Sequence, residues 1–288
     1  MLFLPGNNPN MLINADVFGS DAVIFDLEDA VSPDEKDAAR ILVRSALNNM
    51  DYGAAEIIVR INSIDANGYW MRDLDEVIPC KPAMIMPTKV SDADYIKKVS
   101  DYIVAIEKRC GMQEGTVKII PLVETAVGLE NAYAIATADA RVTAIFLGAE
   151  DLTADMRCVR TKEGNEIFYA RNRMVSAARA AGIDVYDTPY TDINDDEGLI
   201  VDAKLAKSLG FTGKASISPR HIKGINAVFS PTQKEIEYAY EVLEAIEVAK
   251  SQGKGAIALY GKMIDAPIVL RAKQVIAMVE QLKGGAAK

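Results

Sequence analysis

Along the chain, short apolar runs alternate with longer stretches whose apolar residues recur at helical spacing. Eight of the runs suit buried strands: Leu2–Pro5, Ala22–Leu27, Ile57–Asn62, Ala83–Pro87, Val117–Glu124, Val142–Gly148, Val185–Thr188 and Ala215–Ser218. Runs of this length, apolar almost throughout, are what parallel strands covered on both faces require. The helices between them are marked by their ends. Ser32-Pro33-Asp34-Glu35 supplies a cap, a proline in the first turn and acidic residues at the positive helix end, ahead of Ala38–Asn48. Ser91 similarly opens Asp92–Arg109, and Gly128–Ala138, Gly164–Ala181 and Asp195–Leu209 follow, the last two closing on Gly182 and Gly210. Strand and helix in alternation predict a parallel sheet, and eight such units predict an α/β fold of the TIM type, a closed (β/α)8 barrel over residues 1–228.

Beyond the eighth run, Thr232–Gln252 and Pro267–Lys283 read as helices, separated by Gly253-Lys254-Gly255-Ala256 and by Tyr260–Asp265. Residues 229–288 are therefore expected to form an appended C-terminal helical element that packs on its own barrel or reaches an adjacent subunit. The terminal Gly-Gly-Ala-Ala-Lys is expected to fray.

Composition narrows the function classes. The 288 residues carry 32 basic and 41 acidic side chains, a formal charge of −9, with no lysine or arginine block. Phosphate backbones would gain little by counterion release, so no nucleic-acid partner is expected. The opening Met1–Pro5 lacks a basic leader and is too short for a signal-peptide core, and no apolar stretch approaches the roughly 18 residues of a membrane span. A cytoplasmic protein with no membrane partner is the expectation. Cys80, Cys110 and Cys158 are widely spaced without a C-x-x-C, which indicates neither a disulfide framework nor a cysteine zinc site.

In such a barrel the chemistry sits at the carboxyl ends of strands. There the sequence places Asp26-Leu27-Glu28-Asp29 after strand two, Arg60-Ile61-Asn62 on strand three, Pro87-Thr88-Lys89 after strand four, Glu124-Thr125 after strand five and Gly148-Ala149-Glu150-Asp151 after strand six. Carboxylates gathered at one mouth repel each other unless a cation or hydrogen bonds neutralise them. Oxygen ligands favour a hard ion, and magnesium commonly takes one or two protein carboxylates while keeping water and substrate oxygens. Glu124 and Asp151, each at the end of a long apolar run, are the candidate Mg2+ ligands; the alternative is that they are ordinary acidic loop residues or helix caps. Arg60 follows Ile57-Ile58-Val59, where a guanidinium needs a compensating anion. That anion is a substrate carboxylate gripped by the fork, an internal partner among Asp26, Glu28 and Asp29, or both.

The single histidine, His221, has no serine elbow upstream and reads as part of a helix start, so proton transfer falls to carboxylates, lysine, tyrosine or metal-bound water. No G-x-G-x-x-G or P-loop motif is present. From pattern alone, Lys89 and Arg44 read as solvated charges, and Pro5-Gly6-Asn7-Asn8-Pro9 as a turn whose amides are able to meet a phosphate or thioester arm.

Taken together, Leu2–Asn7, Asp21–Val31 (DAVIFDLEDAV), Val59–Asn62 (VRIN), Val123–Gly128 (VETAVG), Gly148–Leu152 (GAEDL), Gly164–Gly182, Tyr186–Asp195 and Gly261–Val269 (GKMIDAPIV) resemble the citrate lyase β-subunit group, within the wider citramalyl-CoA and malyl-CoA lyase family of HpcH/HpaI-like aldolases. The resemblance implies an Mg2+-dependent carbon–carbon lyase that cleaves a citryl thioester, linked to an acyl-carrier protein or to CoA, into oxaloacetate and an acetyl thioester. Carried onto matching positions, it implies Glu124 and Asp151 as metal ligands and Arg60 as the grip on the oxo acid. Pro5, Asp26, Glu28 and Lys89 fall in the substrate-binding set, and Asp29 in the catalytic set. It further implies that Asp265 approaches the site from an adjacent subunit and acts on the acetyl carbon, in a homo-oligomer (trimer or hexamer) that assembles with citrate lyase α and γ subunits. Two other readings remain: a stand-alone citramalyl-CoA or malyl-CoA lyase, and a mainly structural subunit of a larger complex. Ser218 stands where many relatives have histidine before the proline, the lysine after strand four is displaced by one place, and the basic residues that relatives carry ahead of the first strand have no counterpart.

Overall fold

The computed structural model of the chain describes residues 1–251, 253 and 255–285. Two compact units result, one running from Met1 to Asn226 and the other starting at Ala227.

The first unit is built on two parallel sheets. One orders β1 (Leu2–Pro5), β2 (Ala22–Asp26), β3 (Glu56–Ile61), β4 (Met84–Pro87) and β5 (Lys118–Ile119) side by side in chain order. The other orders β6 (Leu122–Val123), β7 (Ala144–Leu147), β8 (Asp184–Asp187) and β9 (Gly213–Lys214). Single parallel bridges also join Leu2 to Ser216 and Ile119 to Val142. The expected α/β alternation with parallel strands is present. The long run Val117–Glu124 is split into β5 and β6 by Ile120-Pro121, since Pro121 has no N–H to give to a ladder. The eighth strand falls earlier than expected, at Gly213–Lys214. A lysine inside a strand hides it from a hydrophobic reading, and Lys214 is tolerated because it is paired.

That pairing is a buried ion quartet. The Lys214 Nζ lies 2.7 Å from Asp187 Oδ2 and 2.6 Å from Asp202 Oδ2, while Arg171 Nη2 lies 2.9 Å from the same Asp187 oxygen and 2.7 Å from Asp202 Oδ1. Burial disfavours the Asp202 charge, yet Lys214 and Arg171 outweigh it and hold the carboxyl below its ordinary pKa. Lys214 also donates to the Thr188 carbonyl at 2.6 Å. The quartet thus ties the end of β8 to β9 and to the helices Phe168–Ala181 and Asp196–Leu209.

Several helix ends depart from the sequence reading: Gly128–Ala138 is two short helices, Ala126–Glu130 and Ala132–Ala136, Gly164–Ala181 begins with a 3-10 turn and is α-helical only from Phe168, and the Ser32 side chain makes no capping bond. Asp92, rather than Ser91, caps the helix Ala93–Arg109 by accepting from the Tyr95 N–H. Gly182 and Gly210 stop their helices in the left-handed conformation. Alternate residues of the strands make one apolar core: Ala22 and Ile24, Ile58, Met86, Leu122, and Ala144 and Phe146 form a single cluster drawn from both sheets. Because strand side chains alternate with period two, the next residues on that face are Asp26 after Ile24, Arg60 after Ile58 and Glu124 after Leu122. The core-facing row therefore ends in charge at the carboxyl end of each strand.

The second unit holds the helices Gln233–Ser251 and Ala266–Gly285 around an apolar cluster of Ala239, Val242, Ile264 and Ala272. Between them lies an antiparallel hairpin not expected from sequence, β10 (Ile257–Leu259) and β11 (Lys262–Ile264), turned by Tyr260 and Gly261 with φ of 51° and 75°. Two consecutive positive φ values make the twist that a two-residue hairpin needs. The expectations for Gln252, Lys254 and Ala286–Lys288 lie outside the described residues. Among those described, no helix is long and apolar enough to cross a membrane.

Lys214→Met should cost about 3–5 kcal/mol, because it leaves two buried carboxylates with one cation. Urea denaturation followed by circular dichroism checks this; a loss below about 1 kcal/mol would remove the quartet as a main brace.

Candidate active site

The strand ends of the first unit surround a cavity of about 450 Å³ whose walls include Arg60, Asp26, Glu124 and Asp151. Its floor is apolar, with Phe3 and Phe146 packed edge to face at 5.9 Å and Leu122 beside them.

Register brings the first pair together. Asp26 on β2 lies directly opposite Arg60 on β3. Asp26 Oδ1 and Oδ2 accept from Arg60 Nε and Nη2 at 2.7 and 2.6 Å, a two-pronged contact. The same carboxylate also accepts from the backbone N–H groups of Glu28 and Ala30 at 2.8 and 3.0 Å. Asp26 is thereby saturated, and its work is to hold the guanidinium. Burial works against the Arg60 charge but Asp26 outweighs it, so the group stays protonated well above its ordinary range. The guanidinium carbon lies 5.2 Å over the Phe3 ring, and Nη1 reaches 3.3 Å from Glu28 and 3.9 Å from Asp29. Both readings of Arg60 are therefore compatible: it has internal partners and it still borders the cavity.

The acidic loop after β2 is pinned from beneath by Lys36, whose ammonium donates to the Leu27 and Glu28 carbonyls at 2.8 and 2.6 Å. Glu28 faces inward, buried, with its pKa raised by that burial despite Arg60 nearby. Asp29 is 58 % exposed at the mouth, so the two neighbours part company by environment alone.

Glu124 is only 4 % exposed and its Oε1 accepts from the backbone N–H of Lys89 at 2.8 Å. Gly148 makes room for it, since a Cβ there would stand 2.8 Å from Glu124 Oε2. Burial first, and the charge of Asp151 second, push the Glu124 carboxyl up to about 8. Asp151 sits in the first turn of the helix Ala149–Asp155, its side chain 37 % exposed. That helix start is steadied by Thr188, whose hydroxyl accepts from Ala149 N–H at 3.2 Å. Lys89, read from pattern as a solvated charge, instead reaches into the site: its Nζ lies 3.0 Å from Glu28 Oε1 and 3.6 Å from Asp151 Oδ2.

Among the described residues, no group of three or more histidine, cysteine, aspartate or glutamate side chains is arranged to hold a metal by itself. Glu124 and Asp151 fit a hard divalent ion that takes few protein ligands, because they offer oxygen only and the Asp151 charge works against the ionised form of Glu124 until a cation intervenes.

Pro5 also lines the cavity. Asp265 lies in the other unit, at the start of the helix Ala266–Gly285, where it accepts from the Ile268 N–H at 3.4 Å. His221 is buried in the helix Pro219–Phe229 and does not line the cavity. Sequence reasoning missed Phe3, Phe146 and Thr188 as wall residues and Asp187 as a brace. Asp187 was findable, since it ends a strand as Asp26 does.

Comparison with known proteins gives the same direction. Residues 1–219 match the family described as HpcH/HpaI aldolase/citrate lyase. The citrate lyase subunit beta of Leuconostoc mesenteroides subsp. cremoris is 44 % identical over 278 residues, covering 96 % of this chain and 92 % of that one. The crystal structure of protein CitE from Mycobacterium tuberculosis, in complex with magnesium, acetoacetate and coenzyme A, superposes with a TM-score of 0.78 at 29 % identity, covering 96 % of each chain. The citrate lyase beta subunit of M. tuberculosis complexed with oxaloacetate and magnesium does so with a TM-score of 0.68 at 29 % identity, covering 80 % of this chain and 96 % of that one. The chain belongs to the HpcH/HpaI aldolase/citrate lyase family, in its citrate lyase β-subunit branch and close to the citramalyl-CoA and malyl-CoA lyases.

With its carboxyl at about 8, Glu124 is mostly protonated at pH 7, so Mg2+ binding should expel close to one proton there. Affinity should rise with pH up to about 8 and then level. Titration calorimetry in two buffers of different ionisation enthalpy measures the proton; a pH-independent affinity between 6 and about 8 would contradict the assignment.

Proposed function

We propose that the chain is an Mg2+-dependent carbon–carbon lyase that cleaves a citryl thioester, carried on an acyl-carrier protein or on CoA, to oxaloacetate and an acetyl thioester. The observation that carries this reading is the arrangement in one cavity of a guanidinium locked by Asp26 and two mutually repelling carboxylates, Glu124 and Asp151. A planar fork held at one wall suits the carboxylate of an oxo acid. Magnesium, held by Glu124 and Asp151, would supply Lewis-acid polarisation of the substrate's hydroxyl and adjoining carboxylate.

The chain's own groups divide the remaining work. Arg60 grips and orients the oxo-acid end, with Asp26 fixing the fork and the Phe3 ring beneath it. Asp29 is our candidate to take the hydroxyl proton; its support is its exposure at the mouth, 3.9 Å from Nη1 of Arg60. Pro5 lines the cavity, and Glu28 lies behind it, paired with Arg60 and Lys89. Loss of that proton breaks the carbon–carbon bond and leaves the acetyl thioester as an enolate, which must then be protonated on carbon. Asp265 is our candidate for that step, supplied by an adjacent copy in a homo-oligomer, a trimer or hexamer; the support is the likeness of the Gly261–Val269 segment. Citrate lyase α and γ subunits are the proposed further partners.

The same reading treats residues 1–228 as one closed (β/α)8 barrel and 229–288 as its appended helical domain. Its support is the pair of bridges, Leu2 to Ser216 and Ile119 to Val142, which lie at the seams between the two sheets.

Single-turnover cleavage of citryl-CoA, with Mg2+ or with chelator, tests the proposal. Wild type should cleave only with Mg2+, Glu124→Gln and Asp151→Asn should lose at least about a hundredfold, and Arg60→Lys should chiefly raise KM because lysine cannot reproduce a forked contact. Metal-independent cleavage would overturn the mechanism. Faster turnover of citramalyl-CoA or malyl-CoA would instead favour a stand-alone lyase, and full complex activity in Glu124→Gln a structural subunit. For Asp265, unfolding and refolding a mixture of Asp265→Asn with Glu124→Gln chains should restore part of the activity that each lacks alone; no recovery would place Asp265 outside a shared site.

A further inference from the structure

Six carboxylates, Asp26, Glu28, Asp29, Glu124, Glu150 and Asp151, stand around the cavity or on the loop at its mouth. Arg60 serves the first three, through Asp26 at 2.6 Å, Glu28 at 3.3 Å and Asp29 at 3.9 Å. On the other side of the site Arg160 pairs with Glu150 at 3.4 Å, and Lys89 serves Glu124 and Asp151 with both of its ends. Its backbone N–H donates to Glu124 and its ammonium lies between Glu28 and Asp151. Burial works against the ammonium charge, but Glu28 outweighs it, so the group stays cationic.

Two further features set Lys89 apart. Its backbone lies in the left-handed region at φ 54°, uncommon for a residue with a side chain. Strain of that kind persists where surrounding contacts over-determine a conformation, and here those contacts are three carboxylates, Glu124 on the backbone N–H and Glu28 and Asp151 at the ammonium. The side chain is also 41 % exposed, so the ammonium has solvent beside it into which it can swing. A divalent ion between Glu124 and Asp151 would be repelled by an ammonium 3.6 Å from Asp151 Oδ2.

We propose that Lys89 is a tethered counter-ion: its ammonium neutralises Glu28 and Asp151 while the divalent cation is absent, and it withdraws from Asp151 when that cation binds. The inference rests on the reading of Glu124 and Asp151 as cation ligands. Lys89 is on this account a positioning residue that sets the affinity and release of the metal. It keeps the acidic mouth from springing open between occupancies, at the expense of weaker metal binding.

The test has two arms. In the first, Mg2+ binding is measured by calorimetry on wild type, Lys89→Asn, Lys89→Arg and Glu124→Gln. Asparagine accepts the left-handed backbone without the charge. Lys89→Asn should bind Mg2+ roughly fivefold more tightly or better, the size expected for removing a partly exposed ion pair, and Lys89→Arg should stay near wild type. In the second, wild-type protein is acetylated with N-hydroxysuccinimide acetate under saturating Mg2+ or under EDTA at equal ionic strength, and Lys89 is read by peptide mass spectrometry. Its labelling should be several-fold faster with Mg2+, a change that a merely structural lysine would not show.

Equal or weaker binding by Lys89→Asn, the same gain in Lys89→Arg, or labelling indifferent to Mg2+ would each overturn the proposal. Wild-type affinity in Glu124→Gln, or no Mg2+ binding by wild type, would overturn the metal-site reading itself and the counter-ion with it. The labelling arm uses the unmodified chain, so it decides the matter even if a variant fails to fold.

Discussion

Everything at the site depends on the alignment of β2 with β3 that sets Asp26 opposite Arg60. A guanidinium at the end of an apolar row is tolerable only if an anion meets it, and Asp26 does so with both oxygens while two backbone N–H groups hold Asp26 in turn. Slip that register by one residue and Arg60 faces the opposite side of the sheet, leaving Asp26 without its cation. The remaining charges then lose their order, because Arg60 is also the group that Glu28 and Asp29 lean toward.

From this pair the site divides into two electrostatic halves. In the half near β2 and β3 one guanidinium draws Asp26, Glu28 and Asp29 together. The half near β6 and β7 is less fully compensated: Glu124 is buried, Asp151 repels it, and Lys89 and the more distant Arg60 charge answer them in part. On the proposed function, the carboxylates near β6 and β7 hold the cation and Arg60 takes the substrate carboxylate. Position along the strand order thus gives side chains of the same chemical type different surroundings.

Support for the site comes from outside it. The Lys214 quartet fixes the end of β8, and through Thr188 the start of the helix that carries Asp151. Few of these groups touch the cavity. They matter because an active-site carboxylate displaced by even about 1 Å loses much of its use.

The order of strands and helices was legible in the chain because burial on both faces writes continuous apolar runs and helix ends carry caps. The strand-end carboxylates and Arg60 were legible too, since period two continues each core-facing row into its polar terminus. Local pattern stopped there. Lys89 read as solvated because nothing within its own segment shows that Glu28, sixty-one residues away along the chain, would hold its ammonium. Lys214 concealed β9 because its partners, Asp187 and Asp202, lie on other elements. Periodicity is a property of neighbours in sequence and decides which face a residue shows. Coulombic pairing and desolvation act between neighbours in space, so which charges meet, and which of them is left wanting a cation, was decided only when the strands came into register.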